Sequence, residues 1–203
     1  MNGKAYLWEN NHCMLPPTIA PTELYPWTVA EYRQMIAAGI IEEDARVELL
    51  QGQIMLTTPV GRFHAACVSY LNEWLTGLVN KRYIVRIQDP ISLGDRSEPE
   101  PDLAIVQRRA DYYAAALPGP EDLVLLIEVA DTSLVRDKTL KAPLYASFAV
   151  EEYWLIDLNE QELYRYTSPD NGAYQSVKVF RLGDILIHPT LGEVSVSDLF
   201  PWL

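Results

Sequence analysis

Two acidic residues lie where an apolar strand would normally exclude charge. Glu128 interrupts the most apolar run of the chain, residues 123–130, and Asp102 follows Pro101 directly before the apolar residues 103–106. A carboxylate in such a run is costly unless it is paired or holds a metal. Carboxylate oxygens are the ligands that Mg²⁺ prefers, so this pair could bind a divalent metal at the ends of two strands. The alternatives are an exposed strand end for Glu128 and an ordinary turn aspartate for Asp102.

Lys141 is the third candidate, because it begins an apolar stripe on a predicted helix. Positions 141, 144, 145 and 148 are Lys, Leu, Tyr and Phe, a spacing that places them on one helix face. A lysine on that face either extends outward to solvent or meets buried carboxylates. Lys138 is the second choice, since it lies off the stripe. Pro143 falls inside the helix predicted over residues 137–148, so we expect this helix to start late or to kink.

Two further residues are candidates because of their positions on neighbouring elements. Glu48 alternates with Val47 and Leu49 on the first strand of a hairpin predicted about Gly52, and one face of that strand must be covered. His64 lies in the first turn of an amphipathic helix, one residue off its apolar stripe. A histidine at such a position either caps the helix, is solvated, or contributes to a site. Both residues are therefore retained as candidates.

The elements that must position these residues are a mixture of helices and short strands. Thr28 and Glu31 form a capping-box signature that predicts a helix ending at Gly39. The apolar spacing within residues 63–79 predicts a second helix. Strand-type runs are predicted at residues 46–58, 83–87, 102–106, 123–129, 153–157, 162–166 and 173–180, with a hairpin turn at 168–172 and further short strands and a final turn in the tail, 183–203. The simplest arrangement is one α/β domain with a mixed sheet over residues 28–203, preceded by a proline-containing extended arm at residues 1–27.

Composition narrows the class of protein. The 203-residue chain has a formal net charge of −12, which argues against a tight, non-specific nucleic-acid binder because such proteins usually carry a basic surface. A carboxylate metal site or a local basic patch remains compatible with this charge. No apolar run approaches the ~20 residues of a membrane span, and the N-terminus lacks the apolar segment of a secretory signal. We therefore expect a cytoplasmic protein with no membrane partner and with Cys13 and Cys67 reduced.

The ordered series of Glu48, Asp102, Glu128 and Lys141 resembles the active site of the PD-(D/E)XK nuclease superfamily and, more narrowly, that of the Uma-two family of bacterial restriction endonucleases. The resemblance extends over about residues 28–200. The segments that carry it are residues 47–54, 62–66, 100–105 and 126–133, Asp137 with Lys141 and Tyr145, and residues 150–157, which end in Glu-Tyr-Trp-Leu-Ile-Asp. The resemblance implies a restriction-endonuclease-like fold, which is an α/β (α+β) arrangement with a mixed β-sheet flanked by helices.

The same resemblance implies a chemistry for the candidate residues. The implied ligands of Mg²⁺, or of Mn²⁺ in its place, are Asp102, Glu128, the carbonyl of Val129 and, directly or through water, Glu48. Lys141 would orient or deprotonate the attacking water, and His64 would contact the scissile phosphate or a water. In the superfamily the lysine usually lies two residues after the second acid, where this chain has Ala130. The resemblance to the narrower family implies that Lys141, from the following helix, takes its place.

The function expected from the sequence is Mg²⁺-dependent endonucleolytic hydrolysis of DNA. A homodimer is expected because cutting both strands of a duplex takes two sites and most oligomers are two-fold symmetric. Two alternatives stay open. The same chemistry could act on RNA, or the chain could keep the nuclease fold as a binding or structural module without turnover, which the net charge of −12 favours.

Overall fold

The computed structural model describes residues 24–42, 44–57, 61–79 and 81–200. Its helices are α1 (Val29–Ala37), α2 (Arg62–Leu78), α3 (Leu134–Arg136) and α4 (Ala142–Ser147), the last two joined by a π-helical segment, Asp137–Lys141. Its strands are β1 (Val47–Leu50), β2 (Gln53–Leu56), β3 (Tyr83–Ile87), β4 (Leu103–Gln107), β5 (Leu123–Ala130), β6 (Glu152–Asp157), β7 (Glu162–Asp170), β8 (Ala173–Phe180), β9 (Ile185–His188) and β10 (Gly192–Ser195). Short 3₁₀ turns cover Pro120–Asp122 and Val196–Leu199.

A six-stranded sheet in the order β3-β4-β5-β6-β7-β8 forms the centre of the protein. Strands β5 and β6 run parallel, and the other neighbouring pairs are antiparallel. The prediction of a mixed sheet is therefore confirmed. Strand β5 can occupy an interior position because it is apolar on both faces, and all its residues except Val124 are buried.

Alternate residues of β5 belong to the cores on the two faces of the sheet. Leu125 and Ile127 pack in the core that α2 and the β9–β10 hairpin cover. Leu126 and Ala130 pack in the core that α4 covers. Because side chains alternate along a strand, Glu128 shares the α4 face with Leu126 and Ala130. The strand pattern thus directs this carboxylate toward the helix that follows β5.

The first helix and the first hairpin form as the sequence predicts. Thr28 Oγ1 accepts a hydrogen bond from the Glu31 N–H, and the Glu31 carboxylate accepts one from the Thr28 N–H, which completes the capping box. Strands β1 and β2 pair antiparallel about a turn in which Gly52 has φ of +78°. A Cβ at Gly52 would lie 3.0 Å from Pro26, so the turn requires glycine both for its conformation and for this close approach.

The helix that carries Lys141 differs from the prediction at its start and in its pitch. It begins at Leu134, earlier than expected, and widens into a π-helical turn over Asp137–Lys141. Pro143 has no N–H to donate to the carbonyl four residues earlier, and the Ala142 N–H instead bonds to the carbonyl five residues back. The wide turn accommodates the proline, so the helix neither starts late nor breaks there.

The predicted turn at residues 168–172 is shorter than expected. Strand β7 continues to Asp170 because Pro169 still pairs with Tyr174 of β8, which leaves Asn171 and Gly172 as the turn.

Part of the predicted N-terminal arm, residues 1–23, lies outside the described residues, and so does Cys13. Cys67 is a buried free thiol on α2. Within residues 24–200, as far as the structure describes them, no helix has the length and apolar character needed to cross a bilayer.

Candidate active site

Asp102 and Glu128 lie opposite each other at one end of neighbouring strands. Leu103 of β4 pairs with Ile127 of β5 in antiparallel register, so the next pair along the strands is Asp102 and Glu128. Directly opposed side chains share a face of the sheet, with Cβ atoms about 5 Å apart. The Val129 N–H donates to Oδ2 of Asp102 at 2.9 Å, which holds that carboxylate at the start of β4. Both acidic residues are buried, so neither an exposed strand end nor a solvated turn describes them.

Lys141 reaches the same place from the π-helical segment. Its Nζ lies 2.8 Å from Oε1 of Glu128 and 3.3 Å from Oε2 of Glu48, and the residue is 2% exposed. The lysine therefore meets buried carboxylates and does not extend to solvent. Lys138 points elsewhere, with its Nζ 3.5 Å from the centroid of the Tyr164 ring. The phase of the apolar stripe predicts that Lys141, and not Lys138, faces the core, and the Lys141 side chain is the one that lies beside the carboxylates. Its catalytic role stays a prediction.

Glu48, on β1, is completely buried and lies between two cations. Its Oε2 accepts a hydrogen bond from the Glu100 N–H at 3.3 Å and lies near Lys141. Its Oε1 lies 3.4 Å from the Arg136 guanidinium. Glu48 therefore neutralises Lys141 and Arg136 from the side of the hairpin, and its role as a metal ligand stays a prediction.

His64, in the first turn of α2, joins the site through Asp102. Its Nε2 lies 3.0 Å from Oδ2 of Asp102, and Gln88 Nε2 donates to Oδ1 of the same carboxylate at 3.3 Å. Burial lowers the pKa of His64, but the contact with Asp102 outweighs it and leaves the pKa above its ordinary value. Burial raises the pKa of Asp102, but the hydrogen bonds from His64 and Val129 hold it below its usual value. Each partner thus favours the charged form of the other.

Two residues next to the predicted lysine also belong to the site. The Arg136 side chain, 21% exposed, donates to the Leu56 carbonyl at 3.0 Å and lies beside Glu48. Asp137 is buried and accepts a hydrogen bond from the Ser133 hydroxyl. The family resemblance includes Asp137, four residues before the lysine, but assigns it no role in the site. Nothing comparable identifies Arg136, because its partner Glu48 is distant in sequence.

Four buried carboxylates surround one buried lysine. We call Glu48, Asp102, Glu128 and Asp137 the acidic cluster. Burial raises the pKa of Glu128 to about 8, opposed by Lys141. Burial alone would lower the pKa of Lys141, but Glu128, Glu48 and Asp137 raise it well above its ordinary value. Negative charge is therefore in excess, and the acidic cluster favours binding either a proton or a further cation.

Three members of the acidic cluster, Asp102, Glu128 and Asp137, line an open cleft of about 360 Å³. Its charged lining residues are Asp44, Arg46, His64, Glu100, Asp102, Glu128, Asp131, Arg136, Asp137 and Lys141. Glu48 is not part of this lining and lies behind the lysine. Positive and negative groups therefore face the cleft together, as a site for a phosphate and a cation requires.

The oxygen atoms at this cleft suit a hard divalent cation. Among the described residues, no group of three His, Cys, Asp or Glu side chains is arranged to hold a metal by itself. The Val129 N–H points to Asp102, and the N–H and C=O of a strand residue point to the same side, so the Val129 carbonyl is expected on the side of Asp102; its role as a metal ligand stays a prediction. Asp137 also lines the cleft, and its Oδ1 atom is buried without a hydrogen-bond partner. Two carboxylates and a carbonyl fit Mg²⁺.

The pKa of Glu128 predicts how the stability of the metal-free protein depends on pH. The folded state keeps a proton on Glu128 up to a pKa of about 8, whereas the unfolded chain loses it near 4.5. The contribution of Glu128 to the free energy of unfolding is therefore fully present below the pKa that this residue has in the unfolded chain. It declines as the pH rises to the pKa in the folded state, by at most about 1.4 kcal/mol per pH unit. We expect the melting temperature in EDTA to fall as the pH is raised from 5 to about 8, and Glu128→Gln to flatten that decline.

The melting temperature measured with Mg²⁺ complements the measurement in EDTA. Ligand carboxylates must be ionised, so the rise in melting temperature caused by Mg²⁺ should be larger at high pH than at low pH. If the decline in EDTA were equally steep in Glu128→Gln, another group would be responsible for it.

A mixed sheet with two opposed acidic residues at one end, approached by a lysine from the next helix, is the arrangement of a restriction-endonuclease-like nuclease fold. The chain belongs to the Uma2 family, which is described as "Putative restriction endonuclease" and whose family model matches residues 29–199. The family and the fold expected from the sequence are both confirmed.

Two solved structures are similar to this chain, and the first of them, with a TM-score of 0.67, has the same fold. One similar structure is a protein described as "a putative nuclease belonging to DUF820 from Anabaena variabilis ATCC 29413", with a TM-score of 0.67, 19% identity, and coverage of 87% of this chain and 99% of that chain. Another is the type IIG restriction endonuclease BpuSI, with a TM-score of 0.37, 16% identity, and coverage of 72% of this chain and 17% of that chain. The search of curated proteins found no match.

Proposed function

We propose that this protein is a Mg²⁺-dependent endonuclease that hydrolyses DNA phosphodiester bonds in the cleft beside the acidic cluster. The proposal rests on the observation that charged side chains from separate elements meet at one place. Asp102 and Glu128 are opposed across β4 and β5, and Lys141, from a separate helix, lies 2.8 Å from Glu128. Buried charges are costly, so a fold that gathers them beside an open cleft is best explained by the chemistry they perform.

The metal would be held by Asp102, Glu128 and the carbonyl of Val129. When bound, Mg²⁺ acts as a Lewis acid that stabilises charge on the phosphodiester oxygens. The chain's own contribution is to orient these ligands: the Val129 N–H and His64 hold one carboxylate of the pair, and Lys141 holds the other. Glu48 would complete the ligand set only through water, because its own oxygens face Lys141 and Arg136.

Lys141 would act as a hydrogen-bond donor. Despite its burial, the surrounding carboxylates hold its pKa above the ordinary value, so the amine stays protonated at neutral pH. A fixed ammonium beside the scissile bond orients the attacking water and stabilises charge that develops on the phosphate. This favours orientation of the water over its deprotonation by Lys141.

Basic side chains at the cleft are candidates to contact a phosphate. His64, Arg136 and Lys141 line the cleft, but six acidic residues line it as well, so a bound cation would be needed to offset the negative charge that an incoming phosphate meets. His64 would hold Asp102 in place, and its contact with a phosphate or water remains part of the proposal.

A plasmid-nicking assay tests this function. We expect the full chain to convert supercoiled plasmid to the nicked form in Mg²⁺ or Mn²⁺, and EDTA to stop the reaction. Lys138→Ala is a control for changing a lysine of the π-helical segment that also carries Lys141. Lys138 contacts Tyr164 and lies outside the acidic cluster. This variant should nick at the wild-type rate.

The outcomes separate the alternatives. Cleavage of RNA without cleavage of DNA would assign the same chemistry to the other substrate. A folded protein that cuts neither polymer and shows no thermal shift with Mg²⁺ or Mn²⁺ would be a module without turnover. Light scattering on the same samples tests the homodimer expected for cutting both strands.

A further inference from the structure

We propose that Tyr145 is a positioning residue that fixes which oxygen of Glu128 faces the metal. The inference rests on the proposed function, because it concerns the same divalent-cation site. The family resemblance includes Tyr145 without implying a role for it, and its place on the apolar stripe indicates only packing in the core.

The hydroxyl of Tyr145 shares one acceptor with Lys141. It donates to Oε1 of Glu128 at 2.7 Å, and Nζ of Lys141 donates to the same Oε1 at 2.8 Å. The two donors are four residues apart, so they lie on one face of the helix. Since both bind Oε1, the carboxylate is turned so that its other oxygen, Oε2, is left for the cleft that Glu128 lines.

Lys141 alone would not fix this orientation. Its ammonium is a compact charge with no preferred direction, and it is shared with Glu48 at 3.3 Å. The Tyr145 ring is rigid by comparison. It is completely buried and packs edge-on against the Tyr153 ring, with centroids 5.1 Å apart. Without the tyrosine hydroxyl, Glu128 could rotate to give both oxygens to Lys141, and the cation would lose a ligand.

Tyr153 supplies a matched control in the same aromatic group. Like Tyr145 it is completely buried, and it belongs to the same core. Its hydroxyl, however, is buried without a hydrogen-bond partner. Tyr145→Phe and Tyr153→Phe therefore remove the same atom from neighbouring rings, and only the first removes a bond to Glu128.

Binding of Mn²⁺ to the full chain, measured by electron paramagnetic resonance of the free ion, tests the inference without relying on turnover. Loss of a partner that orients a metal ligand typically weakens metal binding about 10–100-fold. We expect a loss of about that size in Tyr145→Phe and less than about twofold in Tyr153→Phe. The nicking rate of Tyr145→Phe should recover at saturating metal, because the defect lies in binding. Thermal unfolding in EDTA establishes that each variant is folded.

The outcomes distinguish this inference from the proposed function. If wild type does not bind Mn²⁺, the metal-dependent function fails and the inference fails with it. If wild type binds and Tyr145→Phe binds equally well, or if both variants lose affinity alike, only the role of Tyr145 is overturned. Should Tyr145→Phe not fold, 4-aminophenylalanine at position 145 restores a donor and decides the question. Affinity within about threefold of wild type supports the inference, and a tenfold loss overturns it.

Discussion

Asp102→Asn should lower the rate of plasmid nicking by about 10³-fold or more, the largest effect on activity expected for this protein. The substitution removes one of the two carboxylates opposed across β4 and β5, and it weakens the ion pair with His64. Its side chain keeps an oxygen that can accept the hydrogen bond from the Val129 N–H, so the strand junction is preserved. The initial rate in Mg²⁺ and the Mg²⁺-induced rise in melting temperature are the two measurements, and both should be lost together.

Asp170→Asn is the control for this prediction. Asp170 ends β7 and is exposed, and it does not line the cleft. It loses the same charge from the same residue type, so it should leave both measurements at their wild-type values. An Asp102→Asn protein that nicked DNA as fast as wild type would place the chemistry elsewhere.

The largest effect on stability is expected for Lys141→Met. Methionine keeps much of the length of the side chain but removes the buried cation that contacts Glu128 and Glu48. Removing one partner of a buried ion pair leaves an uncompensated charge and typically costs about 3–5 kcal/mol. The free energy of unfolding in EDTA, from urea denaturation at a pH above the Glu128 pKa of about 8, should fall by about that amount. The loss should be smaller at lower pH, where Glu128 is protonated.

A second substitution separates charge from packing in this variant. Adding Glu128→Gln to Lys141→Met removes one of the unpaired carboxylates, so the double variant should be more stable than Lys141→Met alone. Lys138→Met is the control for removing a lysine from this helix, and it should cost less because its partner is the face of the Tyr164 ring. If the two lysine variants were equally destabilised, the acidic cluster would not be the source of the effect.

The elements of this fold could be predicted because each depends on residues close together in sequence. The capping box of Thr28 and Glu31 begins α1, and the glycine turn at Gly52 joins β1 to β2. The apolar run of β5 is long enough to be buried on both faces. One difference from the prediction, the π-helical turn before Pro143, follows from a wider hydrogen-bond pattern that local propensity does not reveal.

The candidate site could be predicted in its residue types but only partly in its contacts. Glu128 and Lys141 stood out because a charge on an apolar pattern is costly without a partner. Arg136 did not stand out, because its carboxylate partner Glu48 comes from a hairpin far away in the chain. Tyr145 looked like a core residue, and it is one, but its hydroxyl also bonds to Glu128.

The sequence by itself determined which residues needed a partner and which local elements would carry them, because helix phase, strand alternation and caps depend on neighbours only a few residues apart. Only the tertiary structure determined which residues those partners are. The register that pairs Leu103 with Ile127 brings Asp102 opposite Glu128, and a shift of one residue would turn one of them to the other face. The packing of α2 brings His64 to Asp102, and the helix after β5 brings Lys141 over Glu128. These contacts join distant segments, so they are set by how the whole core packs.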